Sequence, residues 1–338
     1  MKVIADMSKP TSRVLSGDEL ARFGAEIDAL RARTVADLGE RDARYIRNVY
    51  KAVRYSEILG RALLMVAWFL PEGWVFGTAA VGAVILGLSK ILDNMELGHN
   101  VIHGQYDWMG DPVLNGKTFE WDIMGTSENW RKTHNFRHHT YTNIHGMDED
   151  LGYGVLRVFP EQKWHPARLG QPLYAIIFAI LFEWGVAIQD LRLGRWLTGR
   201  VTNKQMFQIS RPALLKMRRQ LVKDYLIWPL LAGPGFLVVL AGNAVANVIR
   251  SLWTYTVIFC GHFTTDVQTF PKNVLKNDTR ASWYVRQVAG SSNLSGGFLL
   301  NVMTGNLSHQ IEHHLFPEVP AHRYAEMSVE VQEICKRY

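Results

Sequence analysis

The sequence predicts an all-α integral membrane protein, with four transmembrane helices arranged as two hairpins beneath a cytosolic helical cap. Three observations predict it. Apolar residues are gathered into blocks near 62–88, 225–240 and 244–263, although the average composition is ordinary. Lys and Arg crowd the flanks of those blocks. Histidines recur at helical spacing at the ends of the blocks and in the polar stretches between them.

Composition narrows the class. The 338 residues hold 37 Lys and Arg against 31 Asp and Glu, a net charge of +6 that suits either nucleic acid or an anionic membrane face. The segregated apolar runs favour the membrane, and a nucleic-acid role would need basic residues interleaved with stacking aromatics on a soluble face. Two cysteines, Cys260 and Cys335, form neither a zinc motif nor a disulfide framework, so any metal is bound mainly by imidazole.

Taken in order, residues 1–53 read as cytosolic N-terminal helices. Leu20, Phe23, Ile27 and Leu30 fall at helical spacing, with Ser16 or Asp18 available as a cap. This is a surface helix and not a signal peptide, because no apolar h-region is present. Arg41, Arg44, Arg47, Lys51 and Arg54 before the first apolar run place the N-terminus in the cytoplasm.

Residues 54–103 read as the first membrane hairpin, turning at Pro71-Glu72-Gly73. Its first limb runs from near Arg54 to Leu70 with Arg54 and Arg61 snorkelling, and its second delivers His99 and His103 to the cytoplasmic surface. Residues 104–224 are polar and form cap. Within them 172–191 is apolar, but it contains Glu183 and Asp190 and precedes a basic loop from Arg192 through Arg195, Arg200, Arg211, Arg218 and Arg219 to Lys223. A crossing there would put that loop outside, so 172–191 is expected to be interfacial or re-entrant. The loop faces the membrane or an electron donor. Residues 225–263 read as the second hairpin, split at Gly242-Asn243 and returning to His262 at a cytoplasmic helix end; 264–338 complete the cap. Trp108, Trp121, Trp130 and Trp184 are expected to serve as interface anchors and packing.

The histidines carry the chemistry. On a helix, His309 and His313 share a face and His314 lies next to them, so the three can converge on one metal. The same spacing recurs in His134, His138 and His139, and in shorter form in His99 and His103. Eight or nine clustered histidines exceed the four ligands of a zinc site. They imply two metal ions in a nitrogen-rich site held by the cap, and a redox metal, since no hydrolase nucleophile, Walker or Rossmann signature is present. Asp148, Asp150 and Glu312 stand close enough to orient histidine rings by accepting their second N–H, as Asp93 and Glu96 also could. His145, His165 and His322 lie outside the clusters and read as ordinary groups.

In Gly98–Gly104, His134–Asn143, Phe259–Phe263 and Gly305–Pro317, and over nearly its whole length, the chain resembles the membrane-bound fatty acyl desaturases with three histidine boxes, in particular the actinobacterial stearoyl-CoA type. That resemblance implies a multi-pass enzyme of the cell membrane with its active site facing the cytoplasm. It implies a histidine-bound centre of two Fe ions (Fe2+/Fe3+), O2 as co-substrate, and insertion of a cis double bond into a saturated acyl chain, as stearoyl- or palmitoyl-type acyl-CoA or a lipid-linked acyl group. Carried over by position, the metal ligands are His99, His103, His134, His138, His139, His262, His309, His313 and His314, with no catalytic residue beyond the metal centre.

Two positions depart from relatives within that family. Ile258 stands where animal acyl-CoA desaturases place an Asn. Gln310 stands where front-end desaturases begin the third box, while His309 repeats the spacing of His134 and is taken as the ligand, leaving Gln310 beside it. A haem-binding H-P-G-G is absent, so the resemblance implies no fused cytochrome b5 and an external donor, a ferredoxin or an iron-sulfur or flavin reductase. The rival readings are a lipid or alkane hydroxylase of the same di-iron superfamily and, more distantly, a membrane metal transporter, which would carry its ligands within the spans.

Overall fold

The structure, a computed structural model, describes residues 15–338 apart from 192, 198 and 200. Arg192, Arg200 and the side chain of Arg195 in the basic loop therefore lie outside the described residues. The described chain is helical, with one isolated bridge between Ile144 and Phe270 and no β-strand. Its principal helices are α1 (Gly17–Ala36), α2 (Glu40–Ala67), α3 (Glu72–Ile102), α4 (131–141), α5 (Gln171–Ile180), α6 (Phe182–Asp190), α7 (Asn203–Val222), α8 (Phe236–His262), α9 (Arg280–Ala289), α10 (Gln310–Leu315) and α11 (Tyr324–Arg337). They fall into two compact units.

One unit comprises, among the described residues, 15–42, 133–163 and 257–338. α1 starts at Ser16, whose hydroxyl accepts from the Glu19 amide while the Glu19 carboxylate accepts from the Ser16 amide, a reciprocal cap. The apolar stripe expected on a surface helix is in fact a core face. Phe23, Ile27 and Leu30 are buried with Tyr284 of α9 and Tyr324, Met327, Val331 and Ile334 of α11. Gly24 makes the close crossing possible, since a Cβ there would sit 2.8 Å from the Ala281 Cβ. Asp42 closes the unit by accepting from both Arg323 and His322.

The other unit comprises residues 43–132 and 164–256. Two helical segments, Glu72–Ile102 and Gly233–His262, are long and apolar enough to cross a membrane, or three if the pair Pro166–Ile180 and Phe182–Asp190, bent by 91°, counts as one. That bend at the 172–191 segment is the geometry of a broken span or a re-entrant loop.

Two expectations are corrected here. The break in the second apolar pair is not at Gly242-Asn243, through which α8 runs uninterrupted. Gly242 is there for packing, because a Cβ would meet Leu64 Cδ2 at 2.3 Å, and the Asn243 amide donates to the Asp224 carbonyl at 2.6 Å. The turn is made instead at Gly233-Pro234-Gly235, where Gly233 adopts φ +54°. Arg61 does not snorkel: it is 5 % exposed, bonded to Glu57 and Asp224 and stacked 4.5 Å over the Trp228 ring. A buried guanidinium is tolerable only with such partners.

Arg61 belongs to a larger buried network. Lys90 reaches Asp122 at 3.2 Å and Asp224 at 2.8 Å, Lys223 also holds Asp122, and Arg250 pairs with Glu183 at 2.5 Å while donating to the Asp122 carbonyl. α2, α3, α6 and α8 are thereby cross-tied through one set of charges.

Candidate metal centre

His134, His138 and His139 lie on α4, whose first two turns, Arg131–His138, are π-helical. π-turns inside α-helices are frequent at functional sites. In this one the i,i+4 rings of His134 and His138 stack at 4.9 Å with planes 21° apart. The chain leaves α4 through Asn143 at φ +55° and Gly146 at φ +66° and doubles back. Asn143 fixes that left-handed turn by donating its side-chain amide to the carbonyls of Gln268 and Gly290. The return brings two carboxylates beneath the rings: Asp150 lies 2.9 Å from His134 Nδ1 and Asp148 lies 3.0 Å from His138 Nδ1.

Three histidines from separate elements converge. His138 of α4, His262 at the end of α8 and His314 of α10 have ring centroids 4.7, 4.9 and 4.8 Å apart in pairs, each pair edge to face. Each offers a ring nitrogen within 4.8 Å of the others, and all three are buried. His314 Nε2 and His262 Nε2 are 3.3 Å apart. His139 lies between His314 and His313, at 4.5 and 4.7 Å. The Tyr324 hydroxyl lies 3.5 Å from His313 Nδ1.

The donor set fits a metal that prefers imidazole. His138 turns Nδ1 to Asp148 and leaves Nε2 buried without a hydrogen-bond partner, the arrangement in which a carboxylate fixes a ligating ring. Burial pushes the charged form of His138 down, but Asp148 and then Asp150 outweigh it, so its pKa is raised and the ring becomes a stronger base. His314 is driven the other way. Burial first, then His139 and the other rings, push it well below the usual histidine range, keeping it in the neutral form a metal needs. Its Nδ1 is held at 2.9 Å from Gln287 Oε1, which also accepts from the Thr142 hydroxyl.

His99 and His103 lie in the other unit, at the end of α3, with rings 4.7 Å apart. His99 is the last residue of a second π-helical stretch, Asp93–His99, and its Nδ1 sits 3.0 Å from the Asn100 side-chain oxygen. His309 enters no ring contact with the other histidines among the described residues, and both its nitrogens lack hydrogen-bond partners. Its Nδ1 lies 3.9 Å from the Glu312 carboxylate. Gln310 instead places its side-chain nitrogen 2.8 Å from His262 Nε2. Glu312 accepts from Asn293 at 2.8 Å, and burial, against that hydrogen bond, raises its pKa to about 7.

Gln287, Thr142, Asn293 and Tyr324 were not foreseen, and no local pattern marks them. The three remaining histidines have structural tasks: His145 stacks on Phe159 at 4.4 Å, His165 accepts from the Ala167 amide, and His322 is bonded to Asp42.

Comparison with known proteins decides the family. The fatty acid desaturase model matches residues 72–338. The chain belongs to the fatty acid desaturase family. It is an oxidoreductase, an acyl desaturase, similar at 44 % identity to the NADPH-dependent stearoyl-CoA 9-desaturase of Mycobacterium tuberculosis over 96 % of this chain and 75 % of that protein. It is also similar to the sn-1 linoleoyl-lipid 6-desaturase of Synechocystis sp., at 24 % over 82 % of this chain and 80 % of the relative. The acyl-lipid (8-3)-desaturase of Mortierella alpina matches at 25 % over 84 % of this chain and 66 % of the relative. These relatives share the family and differ in named substrate and position.

Proposed function

We propose that this desaturase acts on a saturated acyl-CoA of the stearoyl type, placing a cis double bond at carbon 9 with electrons that originate from NADPH. The observation that carries the reading is the 44 % identity, over 96 % of this chain, to the mycobacterial protein of that name. The buried imidazoles that converge from unlike helices supply the matching chemistry.

Two iron ions held by the histidines would supply the one-electron and O2 chemistry. The protein's own groups do the rest. His138 and His314 present Nε2 inward because Asp148 and Gln287 occupy their Nδ1 sides. Asp150 does the same for His134, and burial excludes water from the rings. His99, His103, His139, His262 and His313 complete the proposed ligand set, with His309, the ligand that spacing alone assigns, at its margin. Removal of two hydrogens from neighbouring carbons, coupled to reduction of O2 to two waters, needs two further electrons and two protons. Within these 338 residues there is no haem-binding H-P-G-G to relay the electrons, so a separate ferredoxin or an iron-sulfur or flavin reductase is proposed as donor.

The chain is proposed to be multi-pass in the cell membrane as a four-helix stem: α2 and, because the second hairpin turns at Gly233, the helical path of residues 203–231 in place of one beginning at 225 join the two apolar segments, with the histidines on the cytoplasmic side. The basic residues at the start of α2 support that orientation. Expression in a host deficient in unsaturated lipids, followed by mapping of new double bonds, tests the reading with His313→Ala as control. A cis-9 product from C18 acyl-CoA is expected. An oxygenated product without a new double bond would favour the hydroxylase.

A further inference from the structure

α7 carries a surface that the chemistry at the histidines does not use. It holds five cations and no acid. Lys216 is buried and donates to Glu120 and to the Trp121 carbonyl, at 3.0 and 2.7 Å. Lys204, Arg211, Arg218 and Arg219 are exposed and make no ion pair among the described residues.

Their arrangement is regular. Residues seven apart on a helix lie within about 20° of one another, so Lys204, Arg211 and Arg218 form one stripe. Phe207, Leu214 and Leu221 form a second, roughly 60° round the helix, and they are 63, 44 and 40 % exposed. Such a face would be a liability in water.

The helical path continues past Val222 through a π-turn, Lys223–Ile227, and Trp228–Leu231 to the turn at Gly233. Along it the apolar exposure goes on, at Leu226 and Leu230, while the exposed cations stop. Lys223 turns inward to Asp122. Counted back from Leu231, the helix rises about 30 Å by the time it reaches Arg211, and a hydrocarbon core is about 30 Å thick. The exposed cations interleaved with Leu begin at Arg219 and Arg218, about 18–20 Å from Leu231, and from Arg211 on they stand at the edge of such a core. The long stems of Arg218 and Arg219 carry their guanidinium groups toward the lipid–water boundary at which Arg211 and Lys204 lie. That is the level of phosphate headgroups, where guanidinium groups reach the anions while leucines rest on acyl chains. The bent apolar pair runs alongside, with the Ser210 hydroxyl of α7 donating to the Leu191 carbonyl at 3.3 Å.

We propose that this face of α7 binds the anionic phospholipid headgroups of the bilayer, with Lys204, Arg211 and Arg218 as the phosphate-binding stripe and Phe207, Leu214 and Leu221 seated beside them. Continuity of the apolar face into the stretch before the Gly233 turn selects lipid over a docked acidic protein, which would meet only the cationic half. The proposal rests on the membrane path of residues 203–231 and on nothing about substrate or electron donor.

The test uses the full chain in nanodiscs of phosphatidylcholine with or without phosphatidylglycerol, carrying photoreactive benzoylphenylalanine in place of Leu214. A control carries it in place of Val329, which is 65 % exposed on α11. Lipid adducts are expected at Leu214 and not at Val329, enriched for phosphatidylglycerol. Combining Arg211→Gln with Arg218→Gln should cut that enrichment by of order tenfold, since two cations at an anionic surface are lost. Circular dichroism and metal content confirm that the variant is folded. Adducts to an added acidic redox protein or a second copy instead of lipid, labelling indifferent to phosphatidylglycerol, or equal lipid labelling at Val329 would overturn the proposal.

Discussion

Two regions of this molecule bury polar side chains at high density, and they do it in opposite ways. In the unit built from residues 43–132 and 164–256, Arg61, Lys90, Lys223 and Arg250 meet Asp122, Glu183 and Asp224, so cations and anions satisfy one another. In the unit that holds His134, His138, His139, His262, His313 and His314, the partners are on the outside: Asp148, Asp150 and Gln287 occupy one ring nitrogen each. The other nitrogen of the ring is turned toward its neighbours, as at His138, His262 and His314. A closed network ties helices together, whereas a one-sided network leaves donors aimed at a common point. The second kind costs stability until something binds, and that is why it marks a site.

The largest test of that contrast removes a donor on each side. His138→Ala or His314→Ala should abolish desaturation and release metal from purified protein, read by mass spectrometry, while the helical signal in circular dichroism stays. Asp224→Asn should do the reverse. It leaves Lys90 and Arg61 buried beside a neutral amide, which costs about 3–5 kcal/mol of stability, read as a fall in the unfolding temperature in detergent. Metal bound per folded molecule should be unchanged. Metal loss from Asp224→Asn without a stability change would erase the distinction between the two networks.

A smaller effect tests whether the outer partners matter. Asp148→Asn keeps the shape but weakens the pull on His138 Nδ1, and a loss of about 10–100-fold in metal affinity is expected. Glu312→Gln should fall well short of that, because Glu312 bonds Asn293 and not a histidine of the cluster. Metal titration of the two variants side by side checks the order. Equal losses would show that proximity in sequence, and not ring contact, determines which acids matter.

These pairs also show what was legible in the sequence and why. Repeated i,i+4,i+5 histidine spacing is a local signal, so the boxes could be found before any fold was known. Asp148 and Asp150 were within reach of the same reasoning because the return turn at Asn143 and Gly146 is short. Gln287 and Asn293 arrive from 27 and 19 residues before the histidine-box residues they bond, and Tyr324, though only 11 residues past His313, belongs to no repeated spacing, so none of them leaves a local trace. The turn of the second hairpin was misplaced because Gly-Asn is a turn signal only when the backbone needs one. At Gly242 and Asn243 the missing side chain and the amide serve Leu64 and the Asp224 carbonyl instead. Arg61 was misread because snorkelling and buried pairing look alike until Asp224 is brought to it.

The smallest expected effect concerns the first residue of the third box. Spacing alone favours His309, which repeats the position of His134 relative to its box. The helix does not begin early enough for that analogy to hold: His309 ends a 3-10 turn with φ −104° and ψ +60°, and α10 starts at Gln310. The regular i,i+3,i+4 face therefore runs through Gln310, His313 and His314, and the Gln310 side chain is the one that reaches His262. His309→Ala should accordingly change metal content and turnover only a few-fold, whereas Gln310→Ala should cost more, since it strips a polar neighbour from a ring of the converging triad. Metal content and single-turnover product yield of the two variants rank them. If His309→Ala proves the more damaging, the ring must swing inward when metal binds, and the one-sided network extends one residue further than the helix start at Gln310 implies.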